Sequence, residues 1–477
     1  MHRVHTLTVF FSIQCFMFVN GQQNSTLFLM QSTPQANFVN PAVRNDCSWI
    51  IGLPVLSSVH AELGNPSFTI HQILKKQPDN SYLFDGNDVM KRLTRTNYLD
   101  AQAHVNLLFV GFWRKKDYIT FSVNEKADLF VTFPRDLFAL AWNGNTQFVG
   151  KTANLGRTAL FLNYRREYAL GIARQPARDF VWGARIKLLF GKLNTAFTRS
   201  NVNLYTDPVT YDWNFSSRLN ANTSIPINVI LNGEHNINTI QYNGNIKSIL
   251  LNRNNVGLAF DLGFINYRND KVTVSGSLLD LGLIRWASNA YNFKDNGNFL
   301  YSGPLNDTIQ RVNYVDHMII FLKDDFGIKA KPSAYLDFLI PTYYLGTTYN
   351  LAKDLNAGAV LSGRINRFRI TSGLTLSLNK TFKQKMSVSL SYSYLYRSLK
   401  NLGLGIKLGK SPVQFYAVSD NILGFIKPLD TKNINLRTGL QFNFGCSHRS
   451  KLDNYGCSWL REEEDRKERI NHLLQKL

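Results

Sequence analysis

The segment just before the C-terminal tail alternates without a slip. Ile434, Leu436, Thr438, Leu440, Phe442 and Phe444 stand against Asn435, Arg437, Gly439, Gln441 and Asn443. A strict period of two puts successive side chains on opposite faces of a strand, and no helix gives that pattern. Its length matches the roughly 9–11 residues that a tilted strand needs to cross a bilayer. It ends in an aromatic residue, as final barrel strands commonly do.

The rhythm recurs upstream. Met386, Val388, Leu390, Tyr392, Tyr394 and Tyr396 alternate with serines at 387, 389, 391 and 393. Phe368, Ile370, Leu374, Leu376 and Leu378 alternate with Arg367, Arg369, Thr371, Gly373, Thr375 and Ser377. Leu402, Leu404, Ile406 and Leu408 face away from Gly403, Gly405, Lys407 and Gly409. Phe180 to Phe190 and Val256 to Phe264 repeat it on even positions, opposed by Gly183, Arg185 and Lys187 and by Gly257, Ala259, Asp261 and Gly263.

Alternation alone fits two architectures. In a soluble sandwich the apolar face is the core; in a membrane barrel it meets lipid, and the polar or small face lines the lumen. Three features select the barrel. Several alternating runs have membrane-crossing length. Their second face is rich in Gly, Ser and Arg. Tyr392, Tyr394 and Tyr396 cluster at a strand end, where an interfacial belt belongs. The chain also opens Met1-His2-Arg3, runs apolar from Leu7 to Val19 and reaches small residues at Gly21. That is the layout of a secretory signal peptide cleaved after Gly21. Past Val19 no apolar stretch approaches the roughly 18 residues of a spanning helix.

The expected organisation is a signal peptide over 1–21, an N-terminal segment over 22–49, a barrel over 50–445 and a tail over 446–477. Residues 306–323 carry Ile309, Val312, Val315, Ile319 and Leu322 at helical spacing, which predicts a helix in a long loop. The tail holds a charged helix-like run, with Trp459 and a Leu473, Leu474, Leu477 cluster as candidates for docking a partner.

Without the signal peptide the chain keeps 53 Lys and Arg against 33 Asp and Glu. Such a balance often marks a nucleic-acid binder. Export and the even spread of the cations exclude that here. Lipopolysaccharide phosphates outside, or anions in the lumen, account for the charge instead. On the inner face stand Arg185, Lys187, Arg367, Arg369, Lys407 and Arg437. Either they make the lumen positive, or they pair with loop or hatch carboxylates and seal it.

Three cysteines remain after cleavage. Export meets an oxidising compartment, and Cys446 and Cys457 are close enough in sequence to close a small loop, leaving Cys47 odd. No cysteine or histidine spacing suggests a metal. Asp85-Gly86-Asn87-Asp88 offers clustered oxygens for calcium, but reads first as a solvated turn. Gly405 to Ser411 resembles a phosphate loop only superficially, since Leu404 stands where its first glycine belongs. No nucleophile has a base in evident reach, so neither catalysis nor a cofactor is expected.

Four segments carry a resemblance. They are Thr26 to Met30 leading to Asn40-Pro41-Ala42-Val43; Gly257 to Gly263; Ser277 to Gly282 with Trp286; and Tyr416 to Asn421. Together, over residues 24–445, they resemble a FadL/PorV-like family of outer-membrane proteins largely of unknown function, and the Asn40-Pro41-Ala42 motif resembles that of FadL-type fatty-acid transporters. The resemblance implies an all-β, antiparallel transmembrane barrel of about fourteen strands with an N-terminal hatch; the tail adds a short helix. In FadL-type proteins the hatch gates diffusion of hydrophobic molecules; related barrels are subunits of secretion and barrel-insertion machines. The tail beyond Gly445 departs from the transporter pattern. The expectation is therefore a non-enzymatic subunit of an outer-membrane secretion or barrel-assembly complex in a Gram-negative bacterium. Its partners would be outer-membrane lipid and other outer-membrane or periplasmic proteins. The alternative is a FadL-like channel for small hydrophobic molecules.

Overall fold

The computed structural model describes residues 24–231, 237–301, 328–366, 369–382, 385–409 and 411–446. The signal peptide, the 306–323 segment and the tail with Trp459, Leu473, Leu474 and Leu477 lie outside them.

Fourteen strands close into one antiparallel wall. The first, β1, is Cys47–Gly52 and resumes as Val59–Gly64. Then come β2 (Thr96–Arg114), β3 (Asp117–Pro134), β4 (Ala159–Ala177) and β5 (Phe180–Thr206). The next three are broken: β6 is Trp213–Ser224 then Asn255–Tyr267, and β7 is Val272–Trp286 then Ala290–Tyr301. The third, β8, is Lys329–Pro332, Tyr335–Phe338 and Thr342–Ala352. The wall finishes with β9 (Leu355–Asn366), β10 (Arg369–Phe382), β11 (Met386–Leu395), β12 (Ser398–Leu408), β13 (Val413–Ser419) and β14 (Asn433–Cys446). Each strand pairs with the next, and β14 pairs with both halves of β1. The wall thus closes on itself without a first or last edge strand.

Burial decides between sandwich and membrane wall. Along β6, Val256, Leu258, Phe260 and Leu262 are exposed while Asn255, Ala259 and Asp261 are buried. Along β11, Leu390 and Tyr392 are exposed and all four serines are buried. In β10, Leu376 and Leu378 face out while Thr375 and Ser377 face in. The apolar face is the outer one. That is the phase of a barrel in lipid and the reverse of one in water. Among the described residues no helix is long and apolar enough to cross a membrane.

Tight turns join the strands at one end, at Lys115-Lys116, Arg178-Asp179 and Lys353-Asp354. The other end carries the long connections 65–95 and 135–158. Short turns mark the periplasmic end of such barrels and long loops the outer end. The wall is uneven in height: β5 has 27 residues whereas β11 has 10 and β12 has 11. At roughly 3.3 Å per residue, β5 stands well clear of a hydrocarbon layer about 30 Å thick.

The strand ends differ from expectation in instructive ways. The first strand begins at Cys47, inside the expected N-terminal segment, and β14 ends at Cys446. The ladder reaches that far because Cys47 pairs with Cys446 and Trp49 with Phe444. A disulfide joins Cys47 and Cys446. This corrects the Cys446–Cys457 pairing: closeness in sequence lost to closeness in register, since the barrel seam brings the two wall ends together across 399 positions. Tyr396 is a second correction. Tyr392 and Tyr394 lie on the outer side, but Tyr396 and Arg397 form a tight turn with both φ angles positive. The turn breaks the alternation and folds Tyr396 over the lumen, where it is fully buried.

Replacing Cys47 by Ser is expected to cost about 2–4 kcal/mol of barrel stability, read as a lower unfolding midpoint in heat-modifiable gel migration. In the unreduced wild type a maleimide should label Cys457 alone. Protection of Cys457 with labelling of Cys47 would contradict the seam disulfide.

Candidate functional site: the plugged lumen

The residues from Asn24 to Val43 include no charged side chain. They lie inside the barrel and are almost entirely buried. A short helix, α1 (Ser25–Leu29), is followed by a 3-10 turn, Pro34–Phe38. Leu27, Phe28, Leu29 and Met30 pack on Val181, Tyr344, Val360 and Tyr416 of the wall. The first N–H groups of α1 have no side-chain cap of their own, and Asp420 supplies one from the wall. Its carboxylate accepts from the Asn24 N–H and, at 2.7 Å, from the Thr26 N–H.

Polar side chains of many strands then hold the plug. Thr26 bonds to Ser391 at 2.6 Å, Ser25 to Ser362 at 2.8 Å and Gln35 to Gln441 at 2.6 Å. The Ser277 hydroxyl donates to the Val39 carbonyl at 2.6 Å. Asn40-Pro41-Ala42 forms a turn in which the Asn40 side chain accepts from the Ala42 N–H at 3.0 Å. Gly183 and Gly263 are cross-strand partners beneath it. A Cβ on Gly183 would stand 2.3 Å from the Pro41 carbonyl carbon, and one on Gly263 would stand 2.2 Å from Asn40 Oδ1. The paired glycines are a seat cut to the turn, which lets the plug backbone touch the wall.

Towards the outer end the lumen is crossed by charges. Arg364 on β9 reaches Asp100 on β2 at 3.0 Å and Asp128 on β3 at 2.5 Å. Arg165 on β4 bonds Asp128 at 2.7 Å and Glu167 at 2.8 Å. Asp280 on β7 receives Lys187, with Lys126 at 3.3 Å and Arg165 at 3.6 Å. Lys187 also meets Asp261 at 2.6 Å. The β6–β7 register shifts between Phe260 and Leu262, and Asp280 has a φ of 59°. The resulting bulge pushes Asp280 inward, within reach of three other strands. At the rim Tyr396 donates to Glu62 at 2.8 Å.

The inner-face cations expected from alternation divide by role. Arg185 pairs with Asp261 at 3.0 Å and donates to the Asn37 carbonyl and side-chain oxygens, both at 2.7 Å. Lys407 donates to the Ser32 carbonyl at 3.2 Å, and Arg437 to Asn24 Oδ1 at 2.9 Å. These three grip the plug through its oxygens, because residues 24–43 have no carboxylate to offer. Lys187 joins the wall network. The partner carboxylates rise from β2, β3, β4, β6 and β7, not from loops or hatch. Arg367 and the Arg369 side chain lie outside the described residues.

Outside the lumen, Asp85 caps the helix Gly86–Arg92. Lys75 reaches Asp85 at 2.6 Å and Asp88 at 3.0 Å, and its ammonium holds the Asp85 carboxyl below the usual carboxylate range. A lysine thus stands where calcium would have to bind. Among the described residues no group of three metal-binding side chains occurs.

The model of a family of unknown function, DUF5723, matches residues 41–420. The chain belongs to this family. No curated protein matches it in sequence. Among solved structures it is similar to a Pseudomonas aeruginosa FadL homologue, at 11% identity and a TM-score of 0.42, covering 90% of this chain and 100% of that one. The Pseudomonas putida toluene transporter TodX follows at 11% identity and 0.32, with the same coverage. The translocator domain of the autotransporter NalP from Neisseria meningitidis gives 8% and 0.31, covering 88% and 97%.

For this DUF5723 member, sequence reasoning missed Asp100, Lys126, Asp128, Arg165, Glu167, Asp280 and Arg364. The available signal was their phase: Arg165 and Glu167 occupy the buried positions of a strand whose other face is apolar from Leu160 to Ile172 but for Arg166.

Two outcomes follow. Asp280→Asn leaves Lys126, Arg165 and Lys187 without their shared anion, at a cost of about 3–5 kcal/mol. Planar bilayers should then record an anion-selective conductance where the wild type is silent; a silent, equally stable variant would refute the role given to Asp280. Gly183→Val should lift the Asn40-Pro41-Ala42 turn from its seat. Trypsin would then cut after Arg44 in the folded barrel, and unchanged protection would show that the seat is dispensable.

Proposed function

We propose that this outer-membrane barrel of a Gram-negative bacterium is a non-conducting subunit of a secretion or barrel-assembly complex. The observation that supports the reading is a lumen crossed twice. An uncharged plug is pinned by wall side chains from many strands, and beyond it ion pairs bridge strands on opposite sides of the barrel. Moving a solute through would require undocking the plug and separating buried charges, each of which is costly without its partner. A wall so closed acts through its surfaces: the lipid-facing strands, the tall outer side of β2–β5, and the tail after Cys446.

One feature favours a second reading, a channel for small hydrophobic molecules. The first strand is interrupted at residues 53–58, where Leu53, Val55 and Leu56 are exposed on the lipid side. The plug also meets the wall through an apolar flank as well as through polar bonds. A plug held partly by apolar contact moves at a lower cost than one held by ions alone.

Affinity isolation of the native protein in mild detergent tests the first reading. Other outer-membrane or periplasmic proteins should co-purify in fixed ratio, and deleting residues 447–477 should return the barrel to a monomer on native gels. Recovery of a lone monomer from both forms rules out the subunit role. Uptake of a hydrophobic dye into proteoliposomes by that monomer would then establish the channel.

A further inference from the structure

Where β2, β3 and β4 end on the outer side, their connections enclose a cavity of about 390 Å³. It is lined by Leu93, Arg95, Pro134, Arg135, Asp136, Asn154, Gly156 and Arg157. Three arginines thus line it from two connections, Arg95 from 65–95 and Arg135 and Arg157 from 135–158, against one carboxylate. Among the described residues none of the three arginines takes part in an ion pair, and the one side-chain bond is from Arg157 to the Thr96 hydroxyl at 3.3 Å. Asp136 itself accepts from the Asn154 N–H at 2.9 Å through one of its oxygens. The interior ion pairs make the contrast. There every cation named has an anion or a plug oxygen, whereas these three line a cavity and enter no ion pair among the described residues.

The walls are fixed in advance. Thr132 donates to the Arg157 carbonyl at 2.7 Å, the Arg157 N–H donates to Ser200 at 3.0 Å, and the Gly156 N–H donates to the Asn154 side chain at 3.0 Å. Arg157 is held at a φ of 67°, a conformation that only a tightly tied loop maintains in a residue with a side chain. The first turn of the helix Arg135–Asn143 opens on the same space, and Pro134 at its N-cap offers no side-chain bond. The backbone that carries Arg157 is thus tied down before any oxyanion arrives, which lowers the cost of ordering that side of the site.

We propose that this cavity binds a phosphorylated sugar. Arginine forks match phosphate oxygens in number and geometry. The volume is within the range of small-molecule sites and several times what a bare phosphate needs. The remaining lining, an amide and a backbone segment beside the apolar edges of Leu93 and Pro134, suits the mixed surface of a pyranose ring. The cavity sits at the outer ends of three wall strands. Two sources present that chemistry there: the phosphorylated sugar headgroup of an outer-leaflet lipid, and a free sugar phosphate in the medium.

Titration calorimetry on the full-length protein in detergent separates the cases. The probes are glucose 6-phosphate, glucose, bisphosphorylated lipid A and its dephosphorylated form. Binding of glucose 6-phosphate assigns the soluble source; binding of bisphosphorylated lipid A alone assigns the lipid. In either case R135Q/R157Q should weaken binding by at least about tenfold, R135K/R157K should weaken it less, and glucose and dephosphorylated lipid A should not bind. The proposal is overturned if neither phosphorylated probe binds, if the double glutamine variant binds as the wild type does, or if the uncharged probes bind equally. Should R135Q/R157Q fail to show heat-modifiable migration, Arg95→Gln decides in its place, because Arg95 makes no side-chain bond among the described residues that folding could miss.

Discussion

Asp280 meets Lys126, Arg165 and Lys187 in a space that lipid surrounds on every side. A charge there has no bulk water to fall back on, so each member of the group fixes the others. Arg165 needs Asp128 and Glu167; Arg364 needs Asp128 and Asp100. The chain of dependence runs from β2 through β3, β4 and β7 to β9, and it ties opposite sides of the wall together. A fourteen-strand barrel is wide enough to hold a channel. Here the inward bulge at Asp280 and the long arginine side chains span that width. The same pairs that cross the lumen therefore also brace the barrel against flattening or opening.

The plug answers the same constraint by the opposite route. It brings no charge into the lumen and leaves the wall to supply them. Arg185, Lys407 and Arg437 point donors at carbonyl and amide oxygens, and Asp420 accepts the N–H groups at the start of α1. A neutral segment is easier to place beside lipid-enclosed charges than an ionised one, since no new pair has to be matched. The seat at Gly183 and Gly263 then fixes where the chain turns towards β1.

Much of this was legible in the sequence, and the failures share one cause. Alternation over Ile434 to Phe444, or Val256 to Phe264, gives the strand and its two faces directly, because period two survives any packing. The presence of Asp261 on the non-lipid face was equally readable. Alternation by itself is the same whether the apolar side meets lipid or core; strand length and the Gly, Ser and Arg of the second face pointed to the lipid-facing phase. The remaining errors concern contacts made only after the ring closes. Cys47 meets Cys446 because first and last strands become neighbours; Tyr396 turns inward because two positive φ angles in a tight turn break the alternation; Asp280 reaches three strands because a bulge moves it. Local spacing carries none of this. Arg364 went unnoticed for the same reason, since its partners Asp100 and Asp128 lie across the lumen and leave no mark near it in the chain, whereas Arg165 has Glu167 two positions on in the same phase.

The seam bears on what such a barrel can do. The first and last strands are hydrogen-bonded along both halves of β1 and are joined covalently at the periplasmic end. A barrel that works by parting its first and last strands must break that ladder, and with the Cys47–Cys446 bond intact the strand ends stay together. The disulfide also joins the first residue of β1, shortly after the plug, to the last residue of β14. Force applied to the tail by a partner is thus borne by the stapled seam and the ladder behind it, and not by the plug. A stapled seam and a lumen crossed by ion pairs leave the outer surfaces of the wall as the described parts open to other molecules. Within an assembly, this geometry suits a fixed wall that others dock on, not the member that opens.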